Sequence, residues 1–528
     1  MAKTTFEDIK KALWAGANTF RDNIDAANYK DYVLSMFFVK YLSDTYAQSV
    51  EDLAEKYEGI RLERQIANLP FSLKKEFTFD YLFENRYAAD IGNRISEALI
   101  GIEASNAILN GIFRGIDFNS ESNLGKKEQK NPILRNLLND FVGLDLRPRN
   151  IETGAGQVPA DVIGDAYEYM IGEFATMAGK KAGSFFTPQQ VSEIMAQIVA
   201  PTENERVYDP TCGSGSLLIR AARKGGLDKV QIYGQEVNSS AISMARMNMF
   251  IHDIKDANIK WGDTLANPQH LDGDGNLMKF ECIVANMPFS KDKWAEGFNP
   301  GGEVATGDED SASGKKKKEF KMEPNLDRFH RFDIGVPPAS KGDWAFLLHM
   351  IYSMSGNGRV AAVAPHGVLF RGASEGRIRQ AIIEKNLIDA VIGLPENLFY
   401  GTPIPACIIV FRRGRTTKDV LFIDASKDCK KERAKNVLRD ADVAKIVSAY
   451  QQFRQGGNAE IAKYSHVASL EEIQSNDYNL NIPRYVETFE EEELIDIDEV
   501  NAEIAELNGK IAELEAQMAK YLEELGLK

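Results

Sequence analysis

The sequence is poor in the residues that build metal centres and disulfide frameworks. Its 528 residues include four cysteines, none of them in a CxxC pair, and six histidines that form no cluster with metal-ligand spacing. This pattern argues against a zinc site and against disulfide bonds, and it fits a reducing compartment. No apolar run approaches the roughly 18 residues of a membrane-spanning helix. The first residues, MAKTTFEDIKKALW, lack the apolar core of a signal peptide. We therefore expect a cytoplasmic chain without membrane contact or a metal site.

Positive charge is also scarce. The formal net charge is -15 at pH 7, which argues against a protein that grips nucleic acid by itself, because phosphate binding needs clustered Lys and Arg. Any role on nucleic acid must use a local basic patch or a basic partner. Hydrophobic residues make up 44% and charged residues 27% of the chain, as in ordinary globular proteins. The length predicts about two to four domains.

Two large regions differ in their hydrophobic pattern. Residues 1–150 carry apolar residues at helical spacing, as in YKDYVLSMFFVKYLSDTYAQSVEDLAEKY, and this predicts an N-terminal helical bundle domain. Residues 151–485 alternate short β-branched runs with helical patterns. Such alternation predicts an α/β catalytic domain whose sheet is parallel or mostly parallel and covered on both faces.

One segment of the second region, residues 298–340, breaks this alternation. It is rich in Gly, Ser and charge and contains four consecutive lysines, Lys315 to Lys318. The composition predicts a mobile loop. Two interpretations remain open for the lysines, a solvated linker and a nucleic-acid contact that becomes ordered on binding.

The last region, residues 486–528, has apolar residues at alternating steps of three and four. These residues are Ile497, Val500, Ile504, Leu507, Ile511, Leu514, Met518, Tyr521 and Leu525. Sustained over about four heptads, the pattern predicts a coiled-coil helix for subunit assembly. The alternative is an antiparallel return onto the N-terminal bundle.

Three successive strand ends in the second region suit an adenosine ligand. In VYDPTCGSGSLL, Gly213 and Gly215 allow close backbone approach just before a helix that begins near Ser216. Glu236, at the end of the next strand, can bind both ribose hydroxyls. Asp263, at the end of the third strand, can accept from an exocyclic amine such as that of adenine. The third glycine of a dinucleotide fingerprint is missing, since Leu218 stands there.

Upstream, GSFFTPQQVSEIM precedes a predicted helix. Thr187 reads as its N-cap and Pro188 as its first residue. The adjacent Phe185 and Phe186 fit either a hydrophobic staple or a lid over a bound ligand.

The stretch VANMPFS ends a fourth strand at a polar corner. Ligands of open parallel sheets bind beyond the carboxyl ends of the strands, so Asn286 is expected to face the adenosine site. Its side-chain carbonyl and the backbone carbonyl of Met287 can accept hydrogen bonds from both N–H groups of one NH2 group. Pro288 stiffens the corner, and Phe289 offers a ring on which a flat base can stack.

The order of SFFTP, DPTCGSGS, Glu236, Asp263 and NMPF resembles the amino-methyltransferases of DNA, which use S-adenosylmethionine. FRDNIDAANYKDYVLSMFFVKYLSD, GDAYEYMIGEF and NDYNLNIPRY narrow the resemblance to the modification subunit of type I restriction-modification systems. The resemblance covers nearly the whole chain. It implies a Rossmann-like class I S-adenosylmethionine-dependent methyltransferase domain.

The resemblance also implies a substrate and partners. The acceptor would be N6 of an adenine flipped out of double-stranded DNA, and a separate specificity subunit would read the target sequence. Two modification subunits would join each specificity subunit, and a restriction subunit would complete the complex. The corner corresponds to the family's Asn/Asp-Pro-Pro-Tyr/Phe motif, which makes Asn286, Met287, Pro288 and Phe289 the catalytic set. The cofactor set is Ser184, Phe185, Phe186, Thr187, Pro188, Gln189, Asp209, Thr211, Cys212, Gly213, Ser214, Gly215, Glu236 and Asp263.

Met287 stands where the family usually has proline. The backbone carbonyl that would accept the hydrogen bond is still present, but the fixed φ angle of proline is lost. Two alternatives therefore stay open beside DNA methylation. One is methylation of a glutamine side-chain amide in a protein. The other is a scaffold that binds the cofactor without transferring methyl.

Overall fold

The structure is a computed structural model that describes residues 3–21, 24–178, 186–299, 320–399, 403–432, 435–487 and 497–526. The predicted site residues Ser184 and Phe185 and the lysine run Lys315 to Lys318 lie outside the described residues. None of the described helices combines the length and the apolar character required to cross a bilayer.

The N-terminal region is helical, as predicted. Its helices are α1 (Phe6–Arg21), α2 (Ala26–Ala54), α3 (Gly59–Ala67), α4 (Phe79–Glu84), α5 (Ile91–Ser105), α6 (Glu121–Leu124), α7 (Lys127–Val142) and α8 (Pro159–Ala178). Except for α3, these helices contribute apolar residues to one core that also includes Met244, Met247 and Phe250. The helical region therefore packs directly on the region that follows it.

The second region alternates strands and helices. The strands are β1 (Arg206–Asp209), β2 (Gln231–Glu236), β3 (Asn258–Trp261), β4 (Phe280–Asn286), β5 (Met354–Pro365), β6 (Ile388–Gly393), β7 (Ala406–Arg412), β8 (Val420–Asp424), β9 (Lys430–Lys431), β10 (Asn436–Val437) and β11 (Ser465–Ala468). The helices are α9 (Gln189–Val199), α10 (Ser216–Gly225), α11 (Ser239–Ile251), α12 (Asp343–Ser353), α13 (Gly367–Phe370), α14 (Ala373–Glu384), α15 (Asp440–Arg454) and α16 (Leu470–Ser475).

Within the described residues, one sheet has the strand order β11-β8-β6-β7-β5-β4-β1-β2-β3. Strands β5, β4, β1, β2 and β3 are parallel, and β7 runs antiparallel between β5 and β6. Separate apolar cores cover the two faces. The predicted Rossmann-like α/β fold with an N-terminal helical region is confirmed. The parallel half brings the carboxyl ends of β1, β2, β3 and β4 to one edge.

The segment predicted as a loop over 298–340 has no strand or α-helix in its described part, which contains a short 3-10 helix at Pro324–Leu326. Residues 320–340 are nevertheless anchored in the core, because Met322, Arg331 and Phe332 are buried. The rings of Phe298 and Phe332 meet edge to face with centroids 6.0 Å apart. Both ends of this segment are thus fixed against the sheet.

Two compact units divide the chain, residues 1–486 and 487–528. The second contains helix α17 (Ile497–Glu524), where the heptad pattern predicts a helix. Ile504, Leu507, Ile511 and Leu514 of the heptad seam are 49%, 57%, 52% and 63% exposed. The domain limits 1–150, 151–485 and 486–528 remain predictions.

A buried ion pair fastens the end of α9 to the central strand β5. The Arg359 guanidinium binds both oxygens of Glu205, at 2.8 and 2.7 Å, and also donates to the carbonyls of Val199 and Ala200. Burial alone would raise the pKa of Glu205. The hydrogen bonds and charge of Arg359 and the Thr202 N–H outweigh burial and lower this pKa to about 2.

We expect Glu205→Gln to destabilise the fold by about 1–3 kcal/mol, because it leaves a partly buried guanidinium without its charged partner. The pKa of Glu205 is lower in the folded than in the unfolded chain. The stabilisation is therefore complete above the unfolded value of about 4.3 and is lost as pH falls towards the folded value. Thermal melts should show a constant gap between parent and variant from neutral pH down to about 5, and a shrinking gap below it. A gap that narrows above pH 6 instead would contradict this assignment.

Candidate functional site

The loop after β1 carries a buried carboxyl and two glycines. Asp209 Oδ1 accepts the Thr211 N–H at 2.8 Å. Gly213 and Gly215 have φ angles of 52° and 78°, in the left-handed region that side chains disfavour. A Cβ on Gly215 would lie 3.0 Å from Met249 Cε of α11. Glycine is thus required both for the turn and for close packing of α11, and the loop leads straight into α10.

Glu236 ends β2 and faces the glycine loop. Its carboxylate accepts the Gly213 N–H at 3.0 Å and the Asn238 N–H at 2.8 Å. Burial raises the pKa of Glu236. Burial, with the negative charge of Glu236, raises the pKa of Asp209 to about 8. Two adjacent buried carboxyls therefore make this end of the sheet a favourable place for hydroxyl donors and for positive charge.

Asp263 follows β3 at the same edge, as predicted. The Gly262 N–H donates to the Glu236 carbonyl at 2.9 Å, which links the two strand ends. Asp263 Oδ1 accepts the backbone N–H groups of Leu265 at 2.8 Å and Ala266 at 3.4 Å. Thr264 Oγ1 donates to the carbonyl of Pro210. The Asp263 turn is therefore joined directly to the glycine loop.

A buried arginine that the sequence analysis missed holds this turn from behind. Arg331 is 0% exposed, and it donates to the carbonyls of Thr264 and Leu265 and, at 2.9 and 2.8 Å, to the carboxylate of Asp327. It also donates to His349 Nδ1 at 3.0 Å. Burial, with the charge of Arg331, keeps the pKa of His349 well below its usual value. The signal in the sequence was the spacing of Asp327 and Arg331, four residues apart.

Asn286, the last residue of β4, is oriented by Thr187. Asn286 Nδ2 donates to Thr187 Oγ1 at 3.1 Å, and no described residue donates to Asn286 Oδ1. The predicted capping role of Thr187 is therefore wrong, because Pro188 occupies the N-cap position of α9 and no side chain caps it. Instead, the Thr187 hydroxyl accepts from the NH2 end of the amide, and the carbonyl oxygen is left as an acceptor.

The other residues of the corner, Met287, Pro288 and Phe289, differ in how deeply they are buried. Met287 is 2% exposed and belongs to an apolar core beside the sheet. Pro288 and Phe289 are partly buried. The ring of Phe289 meets that of Phe399 edge to face, with centroids 6.0 Å apart. The side chain of Met287 thus packs away from the site, while its backbone stays at the corner.

One cavity brings eight of the predicted residues together, without Glu236 and Asp263. It is lined by Phe186, Thr187, Asp209, Thr211, Cys212, Gly213, Ser214, Ser216, Leu217 and Asn286. Pro188 and Gln189 line a neighbouring cavity that shares Phe186, Thr187 and Ser216 with it. The Cys212 thiol is buried, and burial raises its pKa. Its Sγ would lie 3.1 Å from a Cβ on Gly234, so the thiol packs against β2. Sequence reasoning missed Ser216 and Leu217, the first residues of α10.

Asp165, Glu168 and His252 also lie close enough together to hold a metal ion. An arginine occupies this cluster, since Arg223 donates to Asp165 at 3.0 Å and to His252 Nδ1 at 2.9 Å. Burial and the charges of Arg223 and Arg220 lower the pKa of His252 to about 3. These side chains belong to a buried ion-pair network. The Arg223 guanidinium lies where a metal cation would have to bind.

Comparison with known proteins agrees with this geometry. The family model described as N-6 DNA Methylase matches residues 158–494, and the HsdM N-terminal domain matches residues 9–141. The Type I restriction enzyme MpnII methylase subunit of Mycoplasma pneumoniae is 32% identical, over 94% of this chain and 92% of that protein. The MjaVIII methylase subunit of Methanocaldococcus jannaschii is 30% identical, over 99% of this chain and 85% of its own length.

A solved structure agrees as well. The type I restriction-modification system methyltransferase subunit of Streptococcus thermophilus is 36% identical, with a TM-score of 0.76, over 92% of this chain and all of that one. The matches extend over the helical region, the sheet and the site. The chain therefore belongs to the N-6 DNA methylase family, as a methyltransferase subunit of the type I restriction-modification kind.

Proposed function

We propose that this chain transfers the methyl group of S-adenosylmethionine to N6 of an adenine flipped out of double-stranded DNA. In this proposal a separate specificity subunit reads the target sequence. The observation that carries it is the shared cavity, in which the acceptor residue Asn286 and the glycine loop face the same space. A cofactor bound on the loop and a base held at the corner would then be neighbours.

The residues present fit S-adenosylmethionine. Glu236 can bind the ribose hydroxyls, because each of its oxygens keeps a lone pair beyond the backbone N–H that it already accepts. Asp263 would read the adenine amine. Val237, 55% exposed beside Glu236, offers an apolar surface to a flat ring. When bound, the cofactor supplies an electrophilic methyl group on a positively charged sulfur, and the buried carboxyls of Asp209 and Glu236 favour that charge.

The corner would hold the acceptor amine. Asn286 Oδ1 and the backbone carbonyl of Met287 would each accept one hydrogen bond from the exocyclic NH2 group. These bonds strengthen as the nitrogen becomes positive during transfer, so they favour the transition state over the ground state. In the observed orientation the Asn286 NH2 group donates to Thr187, and its carbonyl oxygen is left for the substrate. Phe289 would stack on the flipped base.

The burial of Met287 argues against a scaffold that binds cofactor without catalysis. Its side chain fills the apolar core, so replacing the family's proline changes packing behind the corner and leaves the backbone acceptor. The protein-glutamine alternative explains neither the N-terminal helical domain nor the heptad helix.

The heptad helix and the N-terminal bundle are the proposed docking elements for the specificity subunit, with a restriction subunit in the full complex. Tritiated methyl transfer to unmethylated DNA, with and without the specificity subunit, tests the whole proposal. Methylation should require both subunits. Transfer to a glutamine-containing protein instead, or no transfer at all, would overturn it.

Asn286→Ala should nearly abolish single-turnover methylation of a defined adenine, because the acceptor for the developing charge is gone. Loss of one such acceptor typically costs roughly 100- to 1000-fold in rate. Cofactor affinity should stay within about threefold of the parent, since this interaction forms mostly in the transition state. Asn286→Asp is the matched control, because it keeps an acceptor oxygen and should retain more activity than alanine. A parental rate for the alanine variant would show that the corner is only a turn without a role in methyl transfer.

Binding of the cofactor should release protons near neutral pH. In the free site the pKa of Asp209 is raised to about 8, and a nearby positive charge lowers it. Affinity should therefore rise between about pH 6 and 8. Calorimetry in buffers of different ionisation enthalpy measures the release, which should be smaller for uncharged S-adenosylhomocysteine and absent in Asp209→Asn. Equal release for both ligands would contradict the assignment.

Glu236→Gln should lower cofactor affinity by roughly tenfold, the equivalent of one charge-assisted hydrogen bond. Circular dichroism should show an unchanged fold. Unchanged affinity would remove Glu236 from the ribose site while leaving the acceptor corner untouched.

Removal of the residues after Asp496 should leave cofactor binding intact and weaken assembly with the specificity subunit, because the apolar seam needs a partner helix. Gel filtration of the truncated chain with that subunit measures the effect. Full assembly after truncation would show that the seam is not the docking element.

A further inference from the structure

The backbone just past the acceptor corner is held in a conformation that favours glycine. Ser290 has a φ angle of 49°, which side chains other than glycine adopt at a cost. Its N–H donates to Asp343 Oδ1 at 2.6 Å. Asp343 is the first residue of α12 and is 0% exposed. A buried carboxylate thus holds a strained residue four positions from Asn286.

Asp343 is itself fixed by a buried charge network. Its second oxygen pairs with Arg371, which also binds Glu375 at 2.5 and 3.1 Å. Glu375 is buried at the start of α14. Because both partners of Asp343, the Ser290 N–H and the guanidinium, are donors, an acceptor-only carboxylate matches them and an amide does not.

Neighbouring bonds keep the same stretch in place. The backbone carbonyl of Lys291 accepts the Gly342 N–H at 3.0 Å, and the Trp294 indole N–H donates to the backbone carbonyl of Pro338 at 2.9 Å. These bonds hold residues 291–294 but do not reach the peptide group of Ser290 itself. Asp343 provides that contact.

We propose that Asp343 is a positioning residue for the acceptor corner. It holds Ser290 in its left-handed conformation and so aligns the carbonyls of Asn286 and Met287 with the acceptor amine. Arg371 and Glu375 keep the carboxylate in place. The inference rests on the proposed function, because it assigns Asp343 to the alignment of the proposed catalytic corner.

Asp343→Asn should slow single-turnover methylation by about 10- to 100-fold, the range expected when a reacting group is misplaced by less than about 1 Å. Cofactor affinity should stay within about threefold, since the glycine loop and Glu236 are untouched. Arg371→Lys should slow the step in the same way but less. Asp333→Asn is the matched control, because Asp333 lies on the preceding segment with its side chain 53% exposed, and it should behave as the parent.

Rescue separates positioning from general damage. Glycine adopts the φ angle of Ser290 without strain, so Ser290→Gly added to Asp343→Asn should restore a measurable part of the lost rate. Parental rates for Asp343→Asn, equal losses of rate and cofactor affinity, or no recovery in the double variant would each overturn the proposal. If Asp343→Asn fails to fold, Arg371→Lys with and without Ser290→Gly gives the same decision.

Asn286→Ala, measured alongside, keeps the two hypotheses apart. If the parent with its specificity subunit transfers no methyl to adenine, the proposed function fails whatever Asp343 does. If Asn286→Ala methylates at the parental rate, the acceptor role of the corner fails. If it is inactive while Asp343→Asn matches the parent, only the positioning role fails.

Discussion

Buried carboxylates at the carboxyl edge of the sheet need hydrogen-bond donors, and the whole site depends on how that need is met. A carboxyl removed from water without donors is strongly destabilising. The buried Asp209, Glu236 and Asp343 and the partly buried Asp263 all accept backbone N–H groups from the loops around the cavity. These hydrogen bonds therefore hold the loops in place and also hold the carboxylates in place. A site of this kind is set before a ligand arrives.

Two arginines, the buried Arg331 and the partly buried Arg371, complete this arrangement from behind. Arg331 binds the carbonyls of the turn that carries Asp263, and Arg371 binds the carboxylate that holds the chain after Asn286. One thus supports the proposed cofactor side and the other the proposed acceptor side. Their guanidinium groups suit this role, because a planar fork can bind several fixed acceptors at once. Neither side chain needs to touch a substrate to affect catalysis.

Local patterns in the sequence predicted the strand-end residues well. Glycines after an apolar run and acids at the next two strand ends are short-range signals, and each lies where it was expected. Thr187 shows the limit, because its threonine-proline pair reads locally as a helix cap while its partner is 99 residues away. The reversal of β7 was equally invisible, since ACIIVF is buried on both faces and reads the same in either direction. In residues 298–340, charged residues, Gly and Ser together make up more than half of the composition and conceal the isolated core residues Met322 and Phe332.

The contact between Phe298 and Phe332 has a consequence for how the chain can vary in length. Because the two rings meet, the core fixes the positions of Phe298 and Phe332. The entropy of closing a flexible loop grows only logarithmically with its length, so a doubling costs about 0.6 kcal/mol. Insertions between residues 299 and 320 should therefore cost little folding free energy, whereas insertions between Met322 and Phe332 would displace buried residues.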